Sequence, residues 1–169
     1  VSVTGQGGGS GASSGNNLGV FLDVSGTITA GSNGTVTVNG TGGLSGGNFN
    51  VGVFSGTNAT ITSSGGNVGV TGIGGGSGTS SNNLGVYVFG AGMISAGANG
   101  SVTVMGTGGT TGGTSYGVNI NGANSRITSS GGNVSVTGQG GGATSFATNH
   151  GVIVEMAAGA KKRGLPVIA

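Results

Sequence analysis

The chain has 169 residues, of which 46 are glycine and one is proline, and it contains no cysteine and no tryptophan. Four Lys and Arg and two Asp and Glu are its only charged side chains, and three of the basic ones are Lys161, Lys162 and Arg163. A collagen fold is excluded because glycine does not fall at every third position. Disorder is disfavoured because Val and Ile recur regularly. Nucleic acid is excluded as a partner because the basic residues do not spread along a face.

The sequence repeats itself with a period of about 33 residues. The phrase VSVTGQGGG at 1–9 returns as VGVTGIGGG at 68–76 and VSVTGQGGG at 134–142, with VTVNGTGG at 36–43 and VTVMGTGG at 102–109 between them. A Gly-Val pair also recurs at Gly19, Gly52, Gly85, Gly117 and Gly151. Internal repeats of this length indicate a solenoid, in which each unit packs on its neighbours.

Each unit predicts three short strands, which in the first complete unit span residues 18–22, 27–29 and 36–38. All three alternate Val, Ile or Leu with other residues, the period of two that is typical of half-buried strands. A Gly/Ser/Asn-rich stretch such as 5–17 leads into each unit and varies in length, as loops do. A competing count takes every Val-x-Val as one coil, which gives about ten coils of about 17 residues.

Stacking the units in register predicts an all-β fold, a right-handed parallel β-helix (β-solenoid) of about five coils over residues 1–154. Its interior is expected to hold four ladders, namely Val20, Val53, Val86, Val118 and Val152; Ile28, Ile61, Ile94 and Ile127; Val36, Val68, Val102 and Val134; and Val38, Val70, Val104 and Val136. The recurring glycines are expected at an outward or corner position where a Cβ would crowd its neighbours. Residues 155–169 are expected to cap or leave the solenoid, because the Ile-Thr motif gives way there to Lys161–Arg163 and Pro166.

Catalytic chemistry has few residues to draw on. General acid–base catalysis needs paired titratable groups, whereas Asp23 and Glu155 lie about four coils, or roughly 19 Å, apart along a stack. His150 aligns with Leu18, Val51, Leu84 and Tyr116, so we expect it to occupy a terminal-coil position where packing is less constrained, with a metal ligand or catalytic base as the alternative. The sequence therefore predicts no enzyme, no metal site and no cofactor.

One row of outward-facing side chains is the candidate contact surface. If Val20 and Leu22 face inward, Phe21 faces outward, and its equivalents in the other units are Phe54, Tyr87, Asn119 and Ile153. An exposed row with three aromatic rings could stack sugar rings or join neighbouring rods. The alternative is that folded-back glycine-rich loops cover it.

A second candidate surface is made of hydroxyl groups. The column Thr29, Thr62, Ser95 and Thr128 is regular, and a flat column of hydroxyls can order water as an ice-binding face does. The neighbouring column starts as Thr27 and Thr60 but breaks at Met93 and Arg126, which weakens the ice-binding hypothesis.

The phrases GVxV, IT(S/A)(S/G) and GN(V)xVTGxGG over residues 1–154 resemble the secreted bacterial β-solenoid repeat proteins, the group that contains filamentous-haemagglutinin-like exoproteins and autotransporter passengers. The resemblance implies a right-handed β-helix, secretion to the bacterial cell surface, and a role as an adhesin, stalk or extracellular filament. We therefore expect a structural segment without catalytic activity, with a glycan- or ice-binding module as the alternative.

Partners are expected to be other copies of the chain and, as a further possibility, host or environmental glycans. The strand at 1–3 has no charged or helical cap before it, and an open strand edge is a template for another strand. This predicts end-to-end association, with lateral association through the Phe21 row as the second mode. Membrane insertion is not expected, because no apolar run of 18 residues exists.

Overall fold

The computed structural model describes residues 1–142 and 148–155, and within them it contains fourteen β-strands and no helix. The strands are β1 (Ser2–Gln6), β2 (Val20–Leu22), β3 (Thr27–Ala30), β4 (Val36–Thr41), β5 (Val53–Ser55), β6 (Thr60–Ser63), β7 (Val68–Ile73), β8 (Val86–Phe89), β9 (Met93–Ala96), β10 (Val102–Thr107), β11 (Val118–Asn121), β12 (Arg126–Ser129), β13 (Val134–Gln139) and β14 (Val152–Glu155). The expected C-terminal segment 155–169 lies outside this description except for Glu155, which ends β14.

Each strand pairs in parallel with the strand three places along the chain, so the strands of the stacked coils form three separate parallel sheets. Sheet A has the order β1-β4-β7-β10-β13, sheet B the order β14-β11-β8-β5-β2, and sheet C the order β12-β9-β6-β3. Val53 pairs with Val20 and with Val86, each 33 residues away. The predicted β-solenoid of about five three-stranded coils is therefore confirmed, and the alternative coil of about 17 residues is wrong.

The four predicted ladders are present in the predicted register. In sheets B and C, Val53 pairs with Val86 and Ile61 with Ile94, and in sheet A Val70 pairs with Val104. These inner side chains have at most 1 % of their surface exposed, while Ile28 and Ile127, at the two ends of the Ile ladder, are only partly buried because they have one neighbouring coil. The side chains of all three sheets form one continuous aliphatic core.

Two strand types differ in length from the prediction. The strand expected at 18–22 begins only at Val20, whereas the strand expected at 36–38 continues to Thr41. The extension exists because Gly40 still pairs with Gly5 on one side and with Gly72 on the other. Sheet A is thus the widest of the three sheets.

Each coil has a wide part, filled by the aliphatic core, and a narrow part, in which two backbones meet. The narrow part is defined by Gly5, Gly40, Gly72, Gly106 and Gly138 of sheet A, opposite Gly19, Gly52, Gly85, Gly117 and Gly151 at the entry to sheet B. A Cβ on Gly72 would overlap the Gly85 carbonyl oxygen and lie 2.6 Å from the carbonyl carbon. The expected crowding at the Gly-Val glycines is confirmed, but they face the opposite strand across the coil interior and not an outward or corner position.

Beyond these glycines, each coil holds a buried polar side chain that continues along the stack. The Nδ2 atom of Asn17 donates to Oδ1 of Asn50 at 2.9 Å, and Nδ2 of Asn50 donates to Oδ1 of Asn83 at 3.0 Å. The Ser45 hydroxyl donates to Oδ1 of Asn50 at 3.0 Å, and Ser80 accepts from Nδ2 of Asn83 at 2.8 Å. Because buried amides are stable only when hydrogen-bonded, this ladder fixes the register of neighbouring coils.

Candidate functional site on the outer face of sheet B

The outer face of sheet B, with the loop residues packed on it, carries every aromatic side chain among the described residues. These are Phe21, Phe49, Phe54, Tyr87, Phe89 and Tyr116. The chain's remaining aromatic residue, Phe146, lies outside the described residues. Aromatic residues make up 4 % of the sequence, so their collection on one face gives it a chemistry that the outer faces of sheets A and C lack.

The first half of the predicted contact row is a stack of rings. Phe21 and Phe54 lie 5.4 Å apart and nearly parallel, and Tyr87 meets Phe54 edge-on at 5.4 Å. Phe21 is 61 % exposed, as the period-two argument predicts, whereas Phe54 is only 8 % exposed. The row is therefore not uniformly exposed, and of the two alternatives the open stripe does not hold at Phe54 or at Asn119.

A loop residue covers the middle of the row. Phe49, from the segment between β4 and β5, packs edge-on against Phe54 at 6.1 Å and against Tyr87 at 5.9 Å. Its backbone φ of 67° lies in the left-handed region, as does φ at the equivalent Asn16 and Asn82 in other coils. Bulky residues rarely adopt that conformation, so packing against the rings must offset the strain. The folded-back loop considered as the alternative is thus present at this coil.

The second half of the row is polar or aliphatic. Asn119 is 5 % exposed, and its Oδ1 has no hydrogen-bond partner within the described structure. Ile153 is partly buried. His150 lies in the last described coil, as expected, and stacks on Tyr116 of the preceding coil with ring centroids 5.5 Å apart. The row therefore changes from ring stacking to a buried, unpaired amide at Asn119.

A second outward column, which the sequence reasoning missed, lies beside this row. Phe89, Asn121 and Glu155 pair in register across β8, β11 and β14. The ring of Phe89 lies 5.6 Å from that of Tyr87, and Nδ2 of Asn121 donates to Oε2 of Glu155 at 2.7 Å. Phe89 and Glu155 are exposed and Asn121 is half-buried. The signal was available, because each residue stands two positions after Tyr87, Asn119 or Ile153 and hence on the same side of its strand.

Among the described residues, the carboxylates lie at this face. Both acidic residues of the chain belong to it, Glu155 at the end of β14 and Asp23 just after β2, whereas Arg126 belongs to β12 of sheet C. Burial raises the pKa of the Tyr87 hydroxyl, and the negative charge of Glu155 raises it further.

Asp23 is held ionised by its neighbours. The backbone N–H of Val24 lowers the pKa of its carboxyl, partial desolvation opposes this, and the backbone N–H and hydroxyl of Thr57 lower it further. The Thr57 N–H donates to Oδ1 of Asp23 at 2.6 Å, which links the first two coils.

The described residues show no arrangement typical of catalysis or metal binding. Asp23 and Glu155 lie at opposite edges of sheet B, so they cannot act as an acid–base pair. No cluster of three His, Cys, Asp or Glu side chains occurs in the described ranges. Within the same residues, no helix has the length and apolar character needed to cross a membrane. What this face offers is contact chemistry, namely rings, amides and carboxylates.

The hydroxyl columns of sheet C have the predicted register. Thr29, Thr62, Ser95 and Thr128 follow one another across the sheet. Thr62 and Ser95 hydrogen-bond to each other at 2.9 Å, so part of the column is already paired along the stack. Ice binding by this face stays a prediction.

No model of a protein family matches the chain, and no curated protein and no solved structure matches it. The resemblance to secreted β-solenoid repeat proteins rests on the repeated phrases of the sequence.

Proposed function

We propose that the chain is a structural repeat segment of a secreted bacterial adhesin, stalk or extracellular filament that acts at the cell surface and has no catalytic activity. The observation that carries this proposal is continuity. The same ladders pair in parallel through all the described coils and share one aliphatic core. Such a repeat lengthens by adding coils, about 4.8 Å each, without any change of fold.

The hydrogen bonds between coils support a role as a stiff segment. They continue outside the strands, since the Ser25 N–H donates to Thr57 O at 2.9 Å and the Phe49 N–H donates to Ser81 O at 3.0 Å. Turns and loops are thereby tied to the next coil, and the axis of the solenoid is spanned by a nearly unbroken set of hydrogen bonds. A rod of this kind resists extension and presents few loose segments to proteases.

Self-association along the axis belongs to the same proposal. Val134 and Val152 in the last described coil are 44 % and 42 % exposed, although their equivalents in the inner coils are buried. Further coils, from a longer parent chain or from another copy, would cover these ladder positions and pair with the free strand edges.

Immunogold electron microscopy of intact cells that produce the protein tests the location and the shape together. We expect antibodies raised against this chain to label thin projections on the outer surface. Label confined to the cell interior would contradict secretion, and compact globules in negative stain of the purified full-length protein would contradict a rod. Release of reducing ends from any polysaccharide incubated with the chain would contradict the absence of catalysis.

A further inference from the structure

We propose that the third to fifth coils carry a binding site for a neutral saccharide on the outer face of sheet B. The site, called here the saccharide platform, consists of Tyr87, Phe89, Asn119, Asn121 and Glu155. Of the proposed roles, an adhesin would use such a site, whereas a stalk or filament would not need it, so failure of the saccharide test would leave the structural role standing.

The platform is a regular grid fixed by the backbone. Phe89 pairs with Asn121 and Asn121 with Glu155, while Tyr87 pairs with Asn119 in the adjacent column. Neighbouring strands lie about 4.8 Å apart and alternate residues on one strand about 6.7 Å apart, so the grid measures roughly 10 Å by 7 Å. One or two sugar rings fit an area of that size.

The aromatic half of the platform supplies an apolar surface. Phe89 is 39 % exposed, and its ring is tilted by 47° from the partly buried ring of Tyr87 at 5.6 Å. Two rings in this arrangement form a shallow angled surface on which the C–H face of a sugar can pack. The phenol hydroxyl of Tyr87 adds a group that can donate or accept a hydrogen bond.

The polar half supplies acceptors for hydroxyl groups. The Nδ2 atom of Asn121 donates to Oε2 of Glu155 at 2.7 Å, which orients the carboxylate, and no other described residue bonds its second oxygen, a strong, charge-assisted acceptor. Oδ1 of Asn119 is buried and has no partner within the described residues. Leaving a buried acceptor unpaired lowers stability, and such groups often mark function. A donor from the saccharide would reach this buried oxygen only after the Asn119 side chain turns toward the surface, so the structure as described has Asn119 closed.

The charges of the described residues favour a neutral ligand over an acidic one. Glu155 and Asp23 lie on this face, and among the described residues the single Arg belongs to sheet C. A uronate or a sulfated sugar would meet repulsion from Glu155, whereas neutral hydroxyls can donate to it.

The other end of the same face has a carboxylate, Asp23, but no counterparts of the Asn119 and Asn121 amides. Phe21 is more exposed than Phe89, but its neighbour Phe54 is buried, and Oδ1 of Asp23 already accepts the Thr57 N–H. The ring of Phe54 also leans over Gly56, where a Cβ would lie 2.5 Å from the Asp23 carboxylate. Exposed aromatic surface alone therefore does not define the platform, and Phe21 provides a matched control.

Affinity electrophoresis of the intact chain through gels containing soluble polysaccharides tests the proposal. The neutral probes are β-glucan, galactan, xylan and mannan, and the acidic probes are alginate and heparin. We expect at least one neutral polysaccharide to retard the chain, and Phe89→Ala and Glu155→Gln each to weaken that retardation about tenfold. Phe21→Ala and Met105→Ala, which remove exposed apolar side chains elsewhere, should retain wild-type retardation.

Several outcomes would overturn the proposal. These are no retardation by any neutral probe, retardation by the acidic probes alone, or an equal loss in Phe21→Ala. Sedimentation of the chain without saccharide gives a further outcome. A self-associated species that Phe89→Ala dissociates, with no retardation by saccharide, would assign the face to a second copy of the chain.

Asn119→Leu separates binding from folding. If the unpaired amide serves the saccharide, this variant should melt at a higher temperature than wild type and yet bind the retarding polysaccharide more weakly. Higher stability with unchanged retardation would remove Asn119 from the platform, and lower stability would show that the amide is already satisfied in the free protein. Neither result depends on whether the chain forms a surface filament.

Discussion

The wide and narrow parts of each coil bring opposite sides of the coil into contact in different ways. In the wide part, Val and Ile from three sheets meet and exclude water by filling volume. In the narrow part, two backbones approach so closely that only hydrogen atoms fit between them, as at Gly72 opposite Gly85. The first arrangement depends on side-chain size, which can be varied, whereas the second depends on the absence of a side chain, which cannot.

This difference explains the unusual glycine content. An all-Val interior would force the coil to be wide everywhere, and the segment that enters sheet B could not turn back against sheet A. Pairs such as Gly40 with Gly52 let the coil flatten before it reaches the asparagine ladder. We therefore expect substitutions in the two parts to differ in the size of their effect and in how far it can be relieved.

The largest effect is expected at the centre of the narrow part. A Cβ added by Gly72→Ala would overlap the Gly85 carbonyl oxygen and lie 2.8 Å from Cγ2 of Val86, and neither atom can move without displacing β8. The loss should exceed about 4 kcal/mol, which is most of the stability of an ordinary domain. Circular dichroism during thermal unfolding should show a chain that is unfolded or melts far below wild type. A folded variant with unchanged melting would mean that the two backbones are not in contact.

Substitutions in the wide part should lower the free energy of unfolding strongly, but less than Gly72→Ala does. Ile61 is fully buried in the middle of sheet C, so Ile61→Ala leaves a cavity and should lower the free energy of unfolding by about 2–5 kcal/mol. Ile127→Ala, at the partly buried end of the same ladder, should have a smaller effect. Urea unfolding measures both variants, and equal losses would argue against a core that is tightest in the central coils.

The sequence predicts the wide part of the coil better than the narrow part. The Val and Ile ladders follow from the 33-residue period and alternation, and they were placed correctly. Alternation also puts Gly40 on the same side of its strand as Val36 and Val38, facing inward. The sheet A side of the glycine contact could therefore be predicted from the sequence. The inward position of Gly19 could not, because the strand begins only at Val20 and alternation does not extend back to it.

The candidate site on sheet B could also be predicted only in part from the sequence. The outward orientation of Phe21 could be predicted, and so could the missed column at Phe89 and Asn121. The burial of Phe54 could not, because it depends on Phe49, a loop residue at a position occupied by Asn in two other coils. Repetition predicts what the coils share, and a side chain that only one coil possesses lies beyond it.

A substitution in the asparagine ladder, at the end of the narrow part, should have an effect of intermediate size on stability. Asn50→Ala removes a donor to Oδ1 of Asn83 and to the Gly47 carbonyl, leaving buried acceptors with fewer partners. The free energy of unfolding should fall by about 1–3 kcal/mol. Asn119→Leu, at a buried amide whose Oδ1 has no partner in the described structure, is the control with the opposite expected sign. A loss of stability in both variants, measured by the urea midpoint, would break the distinction between satisfied and unsatisfied amides.

The smallest effect is expected at a glycine of β7 that faces outward. Gly69 lies three residues before Gly72 on the same strand, but a Cβ at Gly69 would have no atom within 4 Å. Gly69 pairs with Thr37 on one side and with Thr103 on the other, so Gly69→Thr would complete a cross-strand row of three threonines on sheet A. Because Thr favours strands and loses less backbone entropy on folding than glycine does, the variant should gain about 1 kcal/mol, or roughly 2–4 °C in melting temperature.

Gly69→Ala should give a smaller gain, since it adds a Cβ without the β-branched hydroxyl side chain. The pair of measurements separates the two roles of glycine in one strand: where glycine holds backbones together it cannot be replaced, and where it merely faces solvent its replacement strengthens the coil. A loss of stability in both Gly69 variants would mean that the outer face of sheet A is itself closely covered, for instance by a neighbouring rod, and concentration-dependent sedimentation of the wild-type chain would then detect that contact.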